Sequence, residues 1–323
     1  MWFTIPLKVE KLDFNVITSS NLVKLAEEMS VKQFIQLIEK GIQLLTAEDG
    51  MVGNLHITGR LIEAPPTGEA IVVGDLHGDL QSLRYILEDS RFLDKVRDGK
   101  DVLLLFLGDY GDRGNQSPEV YFVVLKLKEM FPEHVVMMRG NHEGPYDLLA
   151  SPHDLPIHLN RKFGERSSEA YLKLRELFNH LYTCVLVEER YVFLHGGAPS
   201  QATNINDIAY AHEKHPRERY LEEILWSDPW EGIKGTIASP RGAGRLFGED
   251  ITNKLLKMLK VKALIRGHES SEKGYKTNHN EKVLTLFSRK GFPYRNRFGA
   301  YLQLNLLQKV ENPKQLLNGI QKF

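Results

Sequence analysis

The sequence predicts an α/β fold in one domain, built on a pair of mixed sheets. Two observations carry this. From Ala70 to Met138, three short apolar runs alternate with two helical segments, and each run stops at a glycine-rich polar element. That β-α-β-α-β order argues for parallel strands with crossover helices. Beyond Cys184 the runs shorten and become hairpin-like, which calls for a second sheet. No stretch is rich enough in Gly, Ser or Pro to be a linker, and the sequence has no internal repeat.

Taken in order, Leu22, Leu25, Met29, Phe34, Leu37, Ile38, Ile42 and Leu45 recur at helical spacing. Ser30–Val31 breaks the series into two helices, with Ser30 as N-cap. This amphipathic part of a segment spanning residues 1–69 is expected to pack on the main unit, residues 70–323. Gly53 to Gly68, with Pro65-Pro66, reads as a connector. Strands follow at Ala70–Val73, Val102–Leu107 and Val135–Met138, with helices at Asp79–Leu93 and Ser117–Met130 between them. In the second half Cys184–Val187 and Tyr191–Leu194 form a hairpin, and further strands are expected at Val261–Ile265, Val283–Phe287 and Ala300–Leu304. Helical segments lie near Ser168–Leu181, Arg217–Leu225 and Gly248–Leu259.

Composition narrows the function. Among 323 residues, Lys+Arg and Asp+Glu number 42 each, so the balanced charge disfavours a nucleic-acid partner held through phosphate contacts. No apolar stretch approaches the ~18–20 residues that cross a bilayer, and the start at Met1–Leu7 lacks a leader's apolar run. Cys184, the single cysteine, sits in an apolar run and is expected to pack in the core. These features fit a cytoplasmic protein with no membrane partner.

Chemistry gathers where the apolar runs end. Gly74-Asp75-Leu76-His77-Gly78-Asp79 follows the first strand, and Gly108-Asp109-Tyr110-Gly111-Asp112-Arg113-Gly114 the second. Arg139-Gly140-Asn141-His142-Glu143 follows the third, and His195-Gly196-Gly197 and Arg266-Gly267-His268 come later. Asp75, Asp109 and Asn141 lie 34 and 32 residues apart, one strand–helix unit per step, so parallel strands place them at one sheet edge. Carboxylate, imidazole and amide oxygen are the ligands of two divalent cations. Asp75 and His77 suit one metal, Asp109 a bridge, and Asn141, His195 and His268 the second metal. Manganese is favoured, with iron or zinc as alternatives. Metal coordination lowers the pKa of water from ~15.7 to near neutrality, so a bridging hydroxide can attack phosphorus directly. Arg113 and Arg241 can clamp phosphate oxygens, and His142, oriented by Asp112, can protonate the departing alkoxide. His153, His158, His180, His212, His215 and His279 are expected to be exposed or locally hydrogen-bonded.

These elements closely resemble the phosphoprotein phosphatases, metal-dependent serine/threonine phosphatases, over residues 70–305. The likeness extends to Leu225-Trp226-Ser227-Asp228-Pro229, to Arg241-Gly242-Ala243-Gly244-Arg245-Leu246-Phe247-Gly248, and to Leu286-Phe287-Ser288. It implies a calcineurin-like metallophosphoesterase β-sandwich flanked by helices, with a dinuclear site at its edge. Asp75, His77 and Asp109 would hold one metal, and Asp109, Asn141, His195 and His268 the other. Arg113, Asn141, His142 and Arg241 would bind phosphate. Phosphoprotein substrates and a regulatory subunit would be the partners. Gly111 stands where the family has Val, Asp79 where Gln or Asn is common, and Phe292 at the usual Tyr position of a changed loop, Ser288–Tyr294. These changes resemble an archaeal or bacterial member. A small-molecule phosphoesterase, such as a dinucleoside polyphosphate hydrolase, is the alternative. A scaffold with a dead site is disfavoured because every ligand type is present.

Overall fold

The computed structural model describes residues 17–323, so the reading of Met1–Leu7 lies outside the described residues. Helices α1 (Ser19–Glu28) and α2 (Val31–Ala47) lead into short strands β1 (Gly50–Val52), β2 (Leu55–Thr58) and β3 (Leu61–Ala64). Then come β4 (Glu69–Val73), α3 (Leu80–Asp89), α4 (Phe92–Arg97), β5 (Val102–Phe106), α5 (Ser117–Met130) and β6 (Val135–Met137). After α6 (Leu155–Phe163) and α7 (Ser167–Phe178) the hairpin β7 (Cys184–Val187) and β8 (Tyr191–Phe193) forms. Short helices α8 (Ile205–Ala209), α9 (Ala211–Lys214) and α10 (Tyr220–Trp226) precede β9 (Asp228–Pro229), β10 (Thr236–Ala238) and β11 (Arg245–Phe247). The chain continues through α11 (Glu249–Leu259), β12 (Ala263–Arg266), β13 (Tyr275–Asn278), β14 (Val283–Leu286), β15 (Ala300–Asn305) and β16 (Ile320–Lys322).

The expected pair of mixed sheets is present. One has the order β16-β15-β4-β5-β6, with β4, β5 and β6 parallel and β15 antiparallel to β4. The other runs β1-β2-β3-β7-β8-β12-β14-β13, with β8, β12 and β14 parallel. Successive strand residues point to opposite faces, and burial follows that rule. Val185 and Val187 of β7 join the core shared with β4, β5 and β6, whereas Cys184 and Leu186 join a second core beneath α8, α10 and α11. Cys184 thus packs as expected, and burial pushes its thiol pKa up. Two parallel bridges, Asp75–Phe287 and Met138–Tyr182, stitch the five-stranded sheet to the eight-stranded one at the ends of β4 and β6.

The N-terminal helices begin at capping boxes. At Ser30, the Gln33 amide donates to the serine hydroxyl at 3.3 Å and Ser30 N–H donates to the Gln33 side chain at 2.8 Å. Both helices pack on α5, which carries a continuous buried run from Val120 to Leu125. A helix that is apolar on nearly every side needs cover on every side.

Two expectations need correction. Gly53 to Gly68 is more than a connector: it holds β2 and β3, and β3 pairs in parallel with β7. β2 does alternate, with Leu55 and Ile57 buried and His56 exposed, but four residues are too short a run for that pattern to stand out in the sequence. Asp79–Leu93 is two helices, because Arg91 takes the left-handed conformation (φ +55°) and ends the first. No helix among the described residues is long and apolar enough to cross a membrane.

Candidate active site

The ends of β4, β5 and β6 in one sheet and of β8 and β12 in the other converge on a single cavity of about 520 Å³. Asp75, His77, Asp109, Arg113, Asn141, His142, Arg241 and His268 line it, and His195 and Asp112 sit directly behind. All ten sequence-predicted residues therefore meet.

Backbone strain concentrates here. His77, Asp109, Asp112, Arg113 and His268 have φ values of +43°, +57°, +63°, +66° and +73°. Each such residue costs on the order of 1–3 kcal/mol and persists only where its surroundings over-determine it. The surroundings do so. Leu76 and His77 N–H both donate to Asp109 carbonyl (3.1 and 2.9 Å), and Gly78 N–H donates to Tyr110 carbonyl at 2.8 Å. Glu143, wholly buried, accepts from Asp109 N–H (2.8 Å), Tyr110 N–H (3.1 Å), Gly140 N–H (3.0 Å) and Tyr121 Oη (2.6 Å). Glycine is required at two points of close approach: a Cβ at Gly140 would strike Asp109 Oδ1, and one at Gly267 would strike Asp75 Oδ1. Gly111, the departure from the family's Val, is explained by Tyr121, whose ring would lie 2.8 Å from a Cβ. A second departure, Asp79, caps α3 by accepting from Ser82 N–H at 3.0 Å.

Hydrogen bonds fix which imidazole nitrogen faces the cavity. His77 Nδ1–H donates to Gly111 carbonyl (2.9 Å), leaving Nε2 3.5 Å from Asp109 and 3.7 Å from Asp75. His195 Nδ1–H donates to Leu107 carbonyl (2.9 Å), leaving Nε2 3.1 Å from Asn141 Oδ1 and 3.5 Å from Asp109. His268 Nδ1 lies 2.9 Å from the same Asn141 oxygen. A backbone carbonyl on the far nitrogen is the usual way a protein holds a metal-ligating imidazole.

The donor set fits divalent cations. Asp75 Oδ2 is buried without a hydrogen-bond partner. Two groups, His77–Asp109–His142 and Asp109–His195–His268, each bring three ligand atoms within 4.8 Å of one another. Burial and the Asp109 charge raise the pKa of Asp75. Burial opposes the Asp109 charge too, but His195 and His142 more than offset it. Burial holds His77 down to about 3, so its imidazole is neutral and free to ligate.

Around this set stand the other predicted groups. His142 Nδ1 lies 2.5 Å from Asp112 Oδ2. Burial lowers the pKa of His142, yet Asp109 and Asp112 raise it overall. Arg113 donates through its terminal nitrogens to Pro152 and Ser151 carbonyls at 2.9 and 3.2 Å, and its side chain also hydrogen-bonds Tyr294. Arg241 Nε donates to Asp228 at 2.7 Å, and Asp228 is itself held by the buried Arg266 at 2.9 Å.

Sequence reasoning missed four contributors. Glu143 and Asp228 were visible only as members of longer elements. Tyr294 lines the cavity with its ring 5.4 Å from His77, whereas Phe292, at the expected tyrosine position, is 79% exposed. A phenol therefore reaches the cavity two residues later than expected. His153 binds Asp112 (2.9 Å), far from its sequence neighbours. Similarly, His158 and His279 are buried and bonded to Ser117 and Thr252.

Residues 70–271 match the calcineurin-like phosphoesterases. The chain belongs to that family. A probable serine/threonine-protein phosphatase of Encephalitozoon cuniculi is 32% identical over 92% of this chain and 62% of its own length. A serine/threonine-protein phosphatase of Caenorhabditis elegans is 31% identical over 68% of this chain and 47% of its own. A catalytic subunit of protein phosphatase 2A from Dictyostelium discoideum is 32% identical, over 71% of this chain and 70% of its own length. The chain thus spans about half to two thirds of the length of the first two relatives, and the expected likeness to serine/threonine phosphatases holds. In fold it resembles a protein serine/threonine phosphatase structure from Saccharomyces cerevisiae, with TM-score 0.73 and 23% identity, over 95% of this chain and 96% of that one. A cold-active protein tyrosine phosphatase of a psychrophilic Shewanella has the same kind of fold, with TM-score 0.54 and 17% identity, over 82% of this chain and 80% of that one. The expected metallophosphoesterase fold is thereby confirmed.

Proposed function

We propose that the chain is a metal-dependent protein phosphatase that hydrolyses phosphoserine and phosphothreonine monoesters. The observation that carries this is the meeting, in one cavity, of the partnerless Asp75 oxygen with Asp109, Asn141 and His268, and with His142 backed by Asp112. Asp75, His77 and Asp109 would hold one divalent ion, and Asp109, Asn141, His195 and His268 a second, manganese being favoured. Bound there, the ions supply Lewis-acid charge neutralisation and a water acidic enough to ionise near neutral pH. Arg113 and Arg241 point charge at the same cavity and are suited to the non-bridging phosphate oxygens, Asn141 and His142 adding hydrogen bonds. His142, its Nδ1 held by Asp112, keeps a proton for the departing serine or threonine oxygen.

The naming of the curated relatives as serine/threonine phosphatases favours phosphoprotein substrates over small phosphate esters. The proposal includes a cytoplasmic site of action, a regulatory partner, and residues 1–69 serving a catalytic unit of 70–323. The test is hydrolysis by metal-stripped protein reloaded with Mn²⁺. Phosphoseryl and phosphothreonyl peptides should be turned over with higher kcat/KM than diadenosine polyphosphate. A large preference for the nucleotide overturns the reading.

A further inference from the structure

Asp112 has more partners than the orientation of one imidazole needs. It is 1% exposed. Its Oδ2 lies 2.5 Å from His142 Nδ1 and 2.9 Å from His153 Nδ1, and its Oδ1 accepts from Leu155 N–H at 2.6 Å. A carboxylate can only accept, so both imidazoles present Nδ1–H to one oxygen. His153 is held in turn: its Nε2 lies 3.0 Å from Tyr171 Oη on α7, which is placed to donate its hydroxyl proton to that nitrogen. Tyr171, His153, Asp112 and His142 thus form one chain of side chains running from α7 to the cavity. His153 and Tyr171 do not line the cavity, so neither is placed to touch substrate.

We propose that His153, seated on Tyr171, is a positioning residue that fixes the Asp112 carboxylate and, through it, the ring of His142. The inference rests on the reading of His142 as proton donor. The physical need is clear. Asp112 sits on a strained left-handed backbone; His142 and Leu155 hold its opposite oxygens, but without His153 the Oδ2 end would be anchored only to the His142 ring and would rock with it. Two donors on Oδ2 and one on Oδ1 remove that freedom. A proton donor displaced by about 1 Å can cost up to ~100-fold in rate, so the lock bears on chemistry rather than on binding.

The experiment compares kcat on a phosphoserine peptide with kcat on 4-nitrophenyl phosphate, using Mn²⁺-loaded protein. The alkoxide needs a proton to leave, whereas the nitrophenolate does not. His153→Ala should lower kcat on the peptide about 10-fold, with KM, metal content and the aryl ester rate changed no more than about twofold. His153→Asn, which restores an N–H donor, should recover part of the loss, and Tyr171→Phe should show a smaller loss of the same selectivity. Adding His153→Ala to His142→Ala should cost nothing more, because the positioned group is already gone. Equal losses on both substrates, loss of metal, or no loss at all would overturn the proposal. If His153→Ala does not fold, His153→Asn and Tyr171→Phe decide by the same ratio. His142→Ala separates the two levels. If it slows both substrates alike, the proton-donor reading fails and this inference falls with it; if it is selective but His153→Ala is not, only the inference fails.

Discussion

At the scale of single residues, the site is held by groups that never meet substrate. Glu143 accepts four donors from three backbone amides and a tyrosine, joining the loop after β5 to the loop after β6. Glu143→Gln keeps the shape but turns an N–H₂ toward donors, leaving buried groups unpaired. A loss of about 1–3 kcal/mol is expected, measured by urea denaturation. Nine of the ten predicted site residues were legible because they sit in glycine-bearing elements where apolar runs end; Arg241 follows Ser239-Pro240 and was legible only from its own Arg-Gly-x-Gly element. Glu143 and Asp228 were not, since their work is hydrogen bonding to distant backbone or to a distant guanidinium. Tyr294 and His153 were invisible for another reason. Their loops carry no periodicity, and the turn of Ser288–Tyr294 decides which aromatic ring faces inward.

At the scale of elements, sequence patterning worked where a segment was long and buried on a consistent face. The strands β4, β5 and β6 and the helix α5 appear within a residue or two of expectation. It failed where segments were short. β1 to β3 are three or four residues each, and β9 to β11 form a small sheet of their own. Three residues cannot display a period, so only pairing defines them. The cap of α2 was legible down to the residue, because serine followed three places later by glutamine satisfies both exposed N–H groups. Ser30→Ala should lower stability by about 1 kcal/mol, seen as a shifted denaturant midpoint, with no change in kcat.

At the scale of the whole molecule, Asp75 and Asp109 are buried carboxylates brought together with no lysine or arginine bonded to either among the described residues. Metal stripping by a chelator should therefore lower Tm by several degrees, and Mn²⁺ should restore it, because a ligand that binds only the folded state stabilises by mass action. An unchanged Tm would show that the cluster is stable without cations. The bridges Asp75–Phe287 and Met138–Tyr182 also set the smallest piece of this chain that can work. The family match ends at residue 271, yet β14, which seals the seam, and β15, which flanks β4, both lie beyond it. A fragment cut at that boundary would leave β4 with a bare hydrogen-bonding rim, open to pairing with other copies. Expressed alone, it should precipitate, while the intact chain stays dispersed.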